Sequence, residues 1–425
     1  MILRRRDFLK WSAASAGVGA LAGCAGSGSG PSVGHVVVIG GGFGGATVAK
    51  YLRKWSPDIA VTLVERESEF KSCPISNLIL GGTKTLADVT VSYDALPRKY
   101  GVRMVRDEAV GVDPVKQVVR LRGGETLRYD RLVLSPGIDF SYDAIPGLKA
   151  PAAQAEILHA WKPGTQTVSL RRQLEAMPDG GVYALHIPLA PYRCPPGPYE
   201  RACQVAWYFR QAKPKSKVVI LDANPDVTSK AGLFKAAWNG IYKGIVEYRP
   251  NSELLDVDAG TRTAKLLGGD VRASVLNVVP PQRAGDIAHA ADVVTANNRW
   301  CEVDWRSMES VRHRNIHVLG DATLSAPLMP KSGHMANNHG KVAAAAIIEA
   351  MHGRQPDQEP VIANTCYSFI TDRQVVHVAS VHRYDADKKT LVTVPGSGGL
   401  STAPNDLEGQ YAMVWAANIW ADMLG

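Results

Sequence analysis

Three glycines, one acid and six cysteines are the residues whose types and spacing could do chemistry. Gly40, Gly42 and Gly45 stand in a G-x-G-x-x-G spacing, and Glu65 follows further on. The apolar run Gly34-His35-Val36-Val37-Val38-Ile39 precedes the glycines, and a helical pattern through Ala46, Ala49 and Leu52 follows them. A second run, Ala60-Val61-Thr62-Leu63-Val64, ends at Glu65. Glycines alone are a weak signal. Set between a strand and a helix, with an acid closing the next strand, they describe a βαβ unit that binds a dinucleotide. The tight turn lets a pyrophosphate approach the helix N-terminus, and the acid accepts ribose hydroxyls.

Two further segments bear on which dinucleotide. Arg131-Leu132-Val133-Leu134-Ser135-Pro136-Gly137 reads as a strand closing on a small turn, and Ile316-His317-Val318-Leu319-Gly320-Asp321 as a strand ending in Gly-Asp. Both resemble the glutathione-reductase-like flavoproteins with two dinucleotide-binding domains. That resemblance implies FAD, with Asp321 on the ribityl chain. The Ala-rich stretch from Asn337 to Met351 is expected to be a helix. Its N-terminus, with Lys331 before it, would stabilise charge on a reduced flavin; the competing reading of Lys331 is a solvated surface lysine.

A second βαβ unit follows, with strands at Gly181–Ile187 and Lys217–Asp222 and a helix from Arg201 to Lys213. Its turn carries no glycine motif. Residues 188–200 hold Pro188, Pro191, Pro195, Pro196 and Pro198, which supply no N–H groups to a phosphate. The fold is expected to persist there without an NAD(P)H site, which leaves Cys194 where that cofactor would enter.

The cysteines are Cys24, Cys73, Cys194, Cys203, Cys301 and Cys366. None forms C-x-x-C-H, so no c-type haem attaches by that route. No His/Cys spacing suggests zinc, and no metal is expected. Ser72-Cys73-Pro74-Ile75-Ser76-Asn77, the run Arg193-Cys194-Pro195-Pro196-Gly197-Pro198-Tyr199-Glu200-Arg201-Ala202, Val279–Gly285, Pro330–Gly333 and Asn364-Thr365-Cys366-Tyr367-Ser368 resemble the flavoprotein subunit of flavocytochrome c sulfide dehydrogenase. The similarity runs from about Gly34 to the C-terminus. One departure is Pro74, where the family has an aromatic residue.

The resemblance implies a covalent bond from Cys73 to the flavin. It also implies a redox-active disulfide between Cys194 and Cys366, sulfide as substrate and a haem-bearing c-type cytochrome as partner. The chemistry is coherent. Hydrosulfide attacks a disulfide sulfur and leaves a persulfide and a thiolate, which passes two electrons to the flavin. Cys194 lies just before a helix, whose N-terminus is expected to favour the thiolate. Glu200, in the first turn, is a candidate proton shuttle or a partner of the helix dipole. A static Cys194–Cys366 disulfide, two free thiols or a Cys194–Cys203 pair are the bland alternatives. Cys203 and Cys301 read as buried thiols, and His186, His334 and His339 are given no role.

The surrounding elements follow. The chain has 425 residues, 45% hydrophobic and 21% charged, which suits two or three cores. The expected class is α/β: two Rossmann-like dinucleotide-binding domains plus an α+β C-terminal interface domain. The FAD-binding domain is expected over 34–160 and 258–350, the second Rossmann-like domain over 161–257, and the interface domain over 351–425. In the last, Tyr411, Trp415, Ile419 and Met423 mark one helix face, either docked on the chain's own core or part of a cytochrome or dimer surface.

Residues 1–33 read as a targeting segment and linker. Arg5-Arg6-Asp7-Phe8-Leu9-Lys10 before the weakly apolar Trp11–Gly23 resembles a twin-arginine export signal, which implies a periplasmic protein. Leu21-Ala22-Gly23-Cys24 resembles a lipoprotein box, so a lipid tether at Cys24 and plain cleavage nearby stand as equal readings. The net charge is +8, of which Arg4, Arg5, Arg6 and Lys10 against Asp7 supply three. The remaining excess suits an acidic partner; with no basic run, nucleic acid is not an expected one. Two other functions compete. One is a sulfide:quinone oxidoreductase at a membrane. The other is a non-catalytic FAD-binding partner protein of a sulfur pathway.

Overall fold

The computed structural model describes residues 32–425. The export signal and Cys24 lie outside the described residues.

The valine-rich strand Gly34–Ile39 is buried on both faces, as a central parallel strand must be. It pairs in parallel with Ile59–Val64 on one side and Arg131–Leu134 on the other. Arg103–Val105 extends the sheet beyond Ile59–Val64, and Ile316–Val318 extends it beyond Arg131–Leu134. Two short antiparallel strands, Val303–Asp304 and Glu309–Ser310, complete seven. The helices Phe43–Trp55 and Gly333–Met351 pack closely on one another. Gly340 permits this approach, because a Cβ there would lie 2.7 Å from the carbonyl oxygen of Gly44.

The second sheet is wholly parallel, in the order Val246–Arg249, Lys217–Asp222, Val182–Ile187, Val275–Val278. The last strand corrects the expected boundary at residue 258. The segment 254–272 is an antiparallel three-strand insertion, after which the chain returns to the second sheet before re-entering the first. The helix expected from Arg201 begins earlier, at Gly197. Pro198 lies in its first turn, where its missing N–H has no intrahelical partner to lose. The helix expected from Asn337 likewise begins at Gly333, capped by the Ser332 hydroxyl accepting from the Met335 N–H.

The C-terminal part is an antiparallel sheet of Val361–Phe369, Val375–Asp385 and Thr390–Thr393, followed by the helix Asp406–Leu424. The anticipated helix face splits. Ile419 and Met423 are buried, whereas Tyr411 is 51% exposed. Ala412 and Ala416 instead join Phe369, Val375, Ile75, Leu78 and Ile79 in one apolar cluster. That cluster locks the strand bearing Cys366 to the segment that follows Cys73. Among the described residues no helix is long and apolar enough to cross a membrane.

Candidate active site

The glycine turn is shaped by contacts that no side chain would allow. Gly40 has φ +93°, and a Cβ there would lie 2.4 Å from the Ser135 carbonyl oxygen; a Cβ at Gly45 would lie 1.8 Å from that of Gly40. Gly42 differs: a Cβ there would meet nothing within 4 Å. Its open side faces a cleft of about 700 Å³ that runs from Gly40 and Glu65 past Ser135 to Cys73, Arg193 and Asp321. Glu65 is pinned at the turn, accepting from the Gly41 N–H at 2.6 Å and from the Glu67 N–H at 2.8 Å. Each carboxylate oxygen keeps a lone pair for another donor. The first N–H groups of the Phe43–Trp55 helix have no intrahelical partner, as at any helix start.

Asp321 lies on the wall of the same cleft, and among the described residues its Oδ1 is buried without a hydrogen-bond partner. Burial pushes its pKa up, opposed by the charges of Arg193 and Lys331. A buried acceptor left open is costly unless a ligand hydroxyl completes it. The residues therefore fit a bound FAD: a phosphate-sized gap at Gly42, a pinned acid for a ribose, and an orphaned acceptor further along the cleft.

Lys331 departs from both readings of it. It is buried rather than solvated, and it does not line the cleft. Its Nζ donates to the carbonyls of Asp321 (3.0 Å) and Thr323, and sits 3.8 Å from the centre of the Trp300 ring. Burial lowers its pKa to about 8. Lys331 thus holds the Asp321 turn in place. His339 supports the same turn by accepting from the Gly320 N–H at 3.1 Å; burial lowers its pKa to about 3, so the ring is neutral.

Cys73, Cys194 and Cys366 come from three distant parts of the chain and meet in one region. Cys73 lines the cleft at the start of a turn in which buried Ile75 takes φ +74°. A β-branched residue in that conformation is strained and persists only where the surroundings hold it. Cys194 is itself at φ +59°. Its N–H donates to the Lys331 carbonyl and its own carbonyl accepts from Gly197, both at 2.8 Å. A Cβ at Gly197 would lie 2.9 Å from the Cys194 sulfur. Cys366 lies within the strand Val361–Phe369, and its sulfur accepts from Asn364 Nδ2 at 3.3 Å. The expected Cys194–Cys366 disulfide is not formed here: the five described cysteines are all free thiols. Cys203 and Cys301 are fully buried.

Burial works against the expectation that the helix start would favour a Cys194 thiolate. Burial pushes this thiol well above its usual range, and Cys366, Cys73 and Glu200 push the same way, with Arg193 opposing. The sulfur also lies ahead of a first turn that Pro198 deprives of an N–H.

Glu200 joins the three cysteine segments. Its Oε2 accepts from Asn77 Nδ2 at 3.1 Å and its Oε1 from the Phe369 N–H at 3.1 Å. Asn77 follows Cys73, Glu200 follows Cys194, and Phe369 follows Cys366, so one buried carboxyl ties all three together. Burial raises its pKa, which suits a group that exchanges a proton.

Lys230 was not anticipated. It caps the helix Ala231–Asn239 at φ +57°, is almost fully buried, and donates from Nζ to the Cys366 carbonyl at 2.8 Å. No spacing in the sequence marks it, because it reaches Cys366 only through tertiary packing.

In the second unit the place of Glu65 is taken by Asp222, at the end of the Lys217–Asp222 strand. Its oxygens are filled by four donors: Tyr199 Oη at 2.8 Å, Tyr248 Oη at 3.1 Å, and the Asn224 N–H and Nδ2 at 3.0 and 2.7 Å. The protein's own side chains occupy this carboxylate. Among the described residues there is no cluster of three or more potential metal ligands.

Comparison with known proteins accords with this architecture. Residues 167–280 match the central domain model of the sulfide dehydrogenase (flavocytochrome c) flavoprotein chain, and 358–424 match the flavocytochrome c sulphide dehydrogenase flavin-binding model. Residues 34–170 match the pyridine nucleotide-disulphide oxidoreductase model. The sulfide dehydrogenase flavoprotein chain of Chlorobaculum thiosulfatiphilum is 64% identical over 45 residues, which are 11% of this chain and 94% of that one. The mitochondrial sulfide:quinone oxidoreductase of Mus musculus is 24% identical over 306 residues, 68% of this chain; the chain spans 65% of that protein's length. The solved sulfide:quinone oxidoreductase of Aquifex aeolicus superposes with a TM-score of 0.73 at 18% identity, over 92% of this chain and 91% of that one, and shares the fold. With its central and flavin-binding segments both matched, and the Chlorobaculum sequence covered almost throughout, the chain belongs to the flavocytochrome c sulfide dehydrogenase flavoprotein family.

Proposed function

We propose that this protein oxidises sulfide to sulfur or polysulfide through a Cys194–Cys366 disulfide and FAD, and passes the electrons to a c-type cytochrome. The observation that carries this reading is the meeting of Cys73, Cys194 and Cys366 around Glu200, beside the only one of the two dinucleotide sites left open. Bound in the cleft, the flavin supplies a two-electron acceptor that can pass electrons on to a haem. The chain's own residues do the rest. Gly40, Gly42 and Gly45 admit the pyrophosphate, Glu65 takes the ribose, and Asp321 takes a ribityl hydroxyl. Cys73 is the residue for a covalent bond to the flavin. Glu200, hydrogen-bonded and protonated more readily than an exposed acid, is the group that exchanges a proton with the persulfide and thiolate left when hydrosulfide attacks the disulfide. With Asp222 already saturated, NAD(P)H has no counterpart of Glu65 in the second unit. The twin-arginine pattern accords with a periplasmic site of action, either free or tethered at Cys24.

A second reading, a sulfide:quinone oxidoreductase, draws support from the Mus musculus relative and from the shared Aquifex fold. Anaerobic titration of the oxidised protein with sulfide tests the first step: prompt flavin bleaching is expected, with no response to NADH. Turnover with cytochrome c but not with a soluble short-chain quinone is then expected. The reverse preference would move the quinone reading to the front. Cys366→Ser is expected to keep the flavin and lose sulfide turnover, and retained turnover would remove the disulfide from the pathway.

A further inference from the structure

Two cysteines that form a reactive disulfide are not equivalent if their surroundings differ, because the sulfur whose thiolate is better stabilised leaves faster. Around Cys366, Asn364 Nδ2 points at the sulfur at 3.3 Å. The Ser332 hydroxyl donates to Asn364 Oδ1 at 2.7 Å, and the Cys366 thiol approaches the same oxygen at 3.5 Å. Lys230 Nζ sits on the Cys366 carbonyl at 2.8 Å. That is its one hydrogen bond among the described residues, and it has no carboxylate within ion-pairing distance there. A buried ammonium without a counter-ion is costly, and a negative charge arising beside it offsets the cost. Among the described residues Cys194 has no such donor; Cys366, Cys73 and Glu200 repel a thiolate there, against Arg193 and Arg201, and Lys230 acts on it less than on Cys366.

We propose that Lys230 is a positioning residue that sets the direction in which the Cys194–Cys366 disulfide opens, holding Cys366 as the leaving thiolate and leaving Cys194 as the sulfur that hydrosulfide attacks. This rests on the sulfide reading above. In the step, HS⁻ bonds to Cys194 Sγ to give Cys194–S–SH, the Cys194–Cys366 bond breaks, and its electron pair stays on Cys366 Sγ beside the ammonium. No external oxidant or reductant enters. Burial raises both thiols, Cys194 well above its usual range, whereas at Cys366 Lys230 heads the influences that oppose the rise. The charged and titratable groups facing Lys230 are Cys366 on its strand, Glu200 on the Gly197–Ala212 helix, Cys194 in the preceding loop and Glu408 on the C-terminal helix.

The test reads thiolate formation first, without sulfide. The flavin-loaded protein is reduced, treated anaerobically with iodoacetamide across a pH series, and the labelling of the Cys366 and Cys194 peptides is measured by mass spectrometry. Cys366 is expected to label at lower pH than Cys194. Lys230→Met is expected to move the Cys366 midpoint up by about one pH unit or more, while Lys230→Arg leaves it near wild type. Should Lys230→Met not retain flavin, Lys230→Gln takes its place, and Asn364→Ala is expected to move Cys366 in the same direction by a smaller amount. An unchanged Cys366 midpoint in a flavin-loaded Lys230 variant, or Cys194 labelling at the lower pH, would overturn the proposal. In a second arm, one equivalent of sulfide is added to the oxidised protein and trapped by alkylation. The extra sulfur is expected on the Cys194 peptide, and finding it on Cys366 would overturn the direction. No persulfide at all, with the labelling order as expected, would sink the sulfide reading and leave the effect of Lys230 on Cys366 standing.

Discussion

The two βαβ units share a plan and differ in what fills their ligand positions. In the first, glycines hold the turn open, Gly42 faces the cleft, and Glu65 keeps free lone pairs. In the second, prolines and Cys194 occupy the turn, and Asp222 is saturated by Tyr199, Tyr248 and Asn224. The parallel sheet and its crossover helices are retained in both, because they bury the cores. Whether a unit binds a dinucleotide is decided by a few residues at the strand ends, and the fold itself is indifferent to that choice.

Glycine substitutions should break this comparison most sharply. Gly45→Ala forces a Cβ against the Gly40 carbonyl at 1.8 Å, which is backbone and cannot move aside. Loss of bound flavin and of the folded protein is expected on purification. Gly197→Ala, at the corresponding helix start of the second unit, meets only the Cys194 sulfur at 2.9 Å and the rim of Trp161 at 3.0 Å. It should fold and carry flavin while disturbing Cys194. Gly42→Ala separates fold from ligand. With nothing within 4 Å, its stability without flavin should stay within about 0.5 kcal/mol of wild type, yet its flavin-to-protein ratio should fall. Full flavin occupancy in Gly42→Ala would mean that the pyrophosphate does not lie where the open turn suggests.

The paired acids give a smaller effect with opposite signatures. Asp222→Asn places an amide where four donors converge, and a cost of about 1–3 kcal/mol in urea unfolding is expected with flavin content unchanged. Glu65→Gln should do the reverse, weakening flavin retention with little change in the stability of the flavin-free protein. Equal phenotypes would mean that the two units are more alike than their hydrogen bonds indicate.

How much of this was legible in the sequence follows from how local each feature is. The Gly40–Gly45 turn, Glu65 and Asp321 belong to strand–turn–helix patterns a few residues long, and the structure brings all of them to one cleft. Cys73, Cys194 and Cys366 were reached through family resemblance, since nothing in their spacing says that they meet. Lys230, the tie made by Glu200 and the saturation of Asp222 depend on contacts between residues far apart in sequence, and no periodicity encodes those. Lys331 was placed correctly before a helix, but its direction was set by Trp300 and two carbonyls, which only packing reveals. The Gly197 helix starts earlier than expected with Pro198 in its first turn, a place where proline costs no hydrogen bond.

Lys331 provides the smallest effect and the finest test of the first unit. Burial lowers its pKa from 10.5 to about 8, with Asp321 and Cys301 opposing the fall and Arg299 assisting it. Below pH 8 the lysine is charged in both the folded and unfolded chain, and the folded protein bears the full cost of burying the ammonium. Between about pH 8 and 10.5 the folded lysine loses its proton while the unfolded one keeps it. The unfolded chain then binds more protons, and stability rises with pH through that window. Lys331→Met removes this contribution. Lys230, also lowered to about 8, is common to both proteins and cancels in the difference. Removing Lys331 also leaves Asp321 without one of the charges that restrain its rise. In urea unfolding at pH 7.5 and pH 10, the stability of wild type relative to Lys331→Met should therefore increase toward the higher pH. A difference that stays flat or shrinks would mean that the ammonium is better solvated than its contacts with Trp300 and the Asp321 and Thr323 carbonyls indicate. The Asp321 turn would then owe its position to His339 rather than to the lysine.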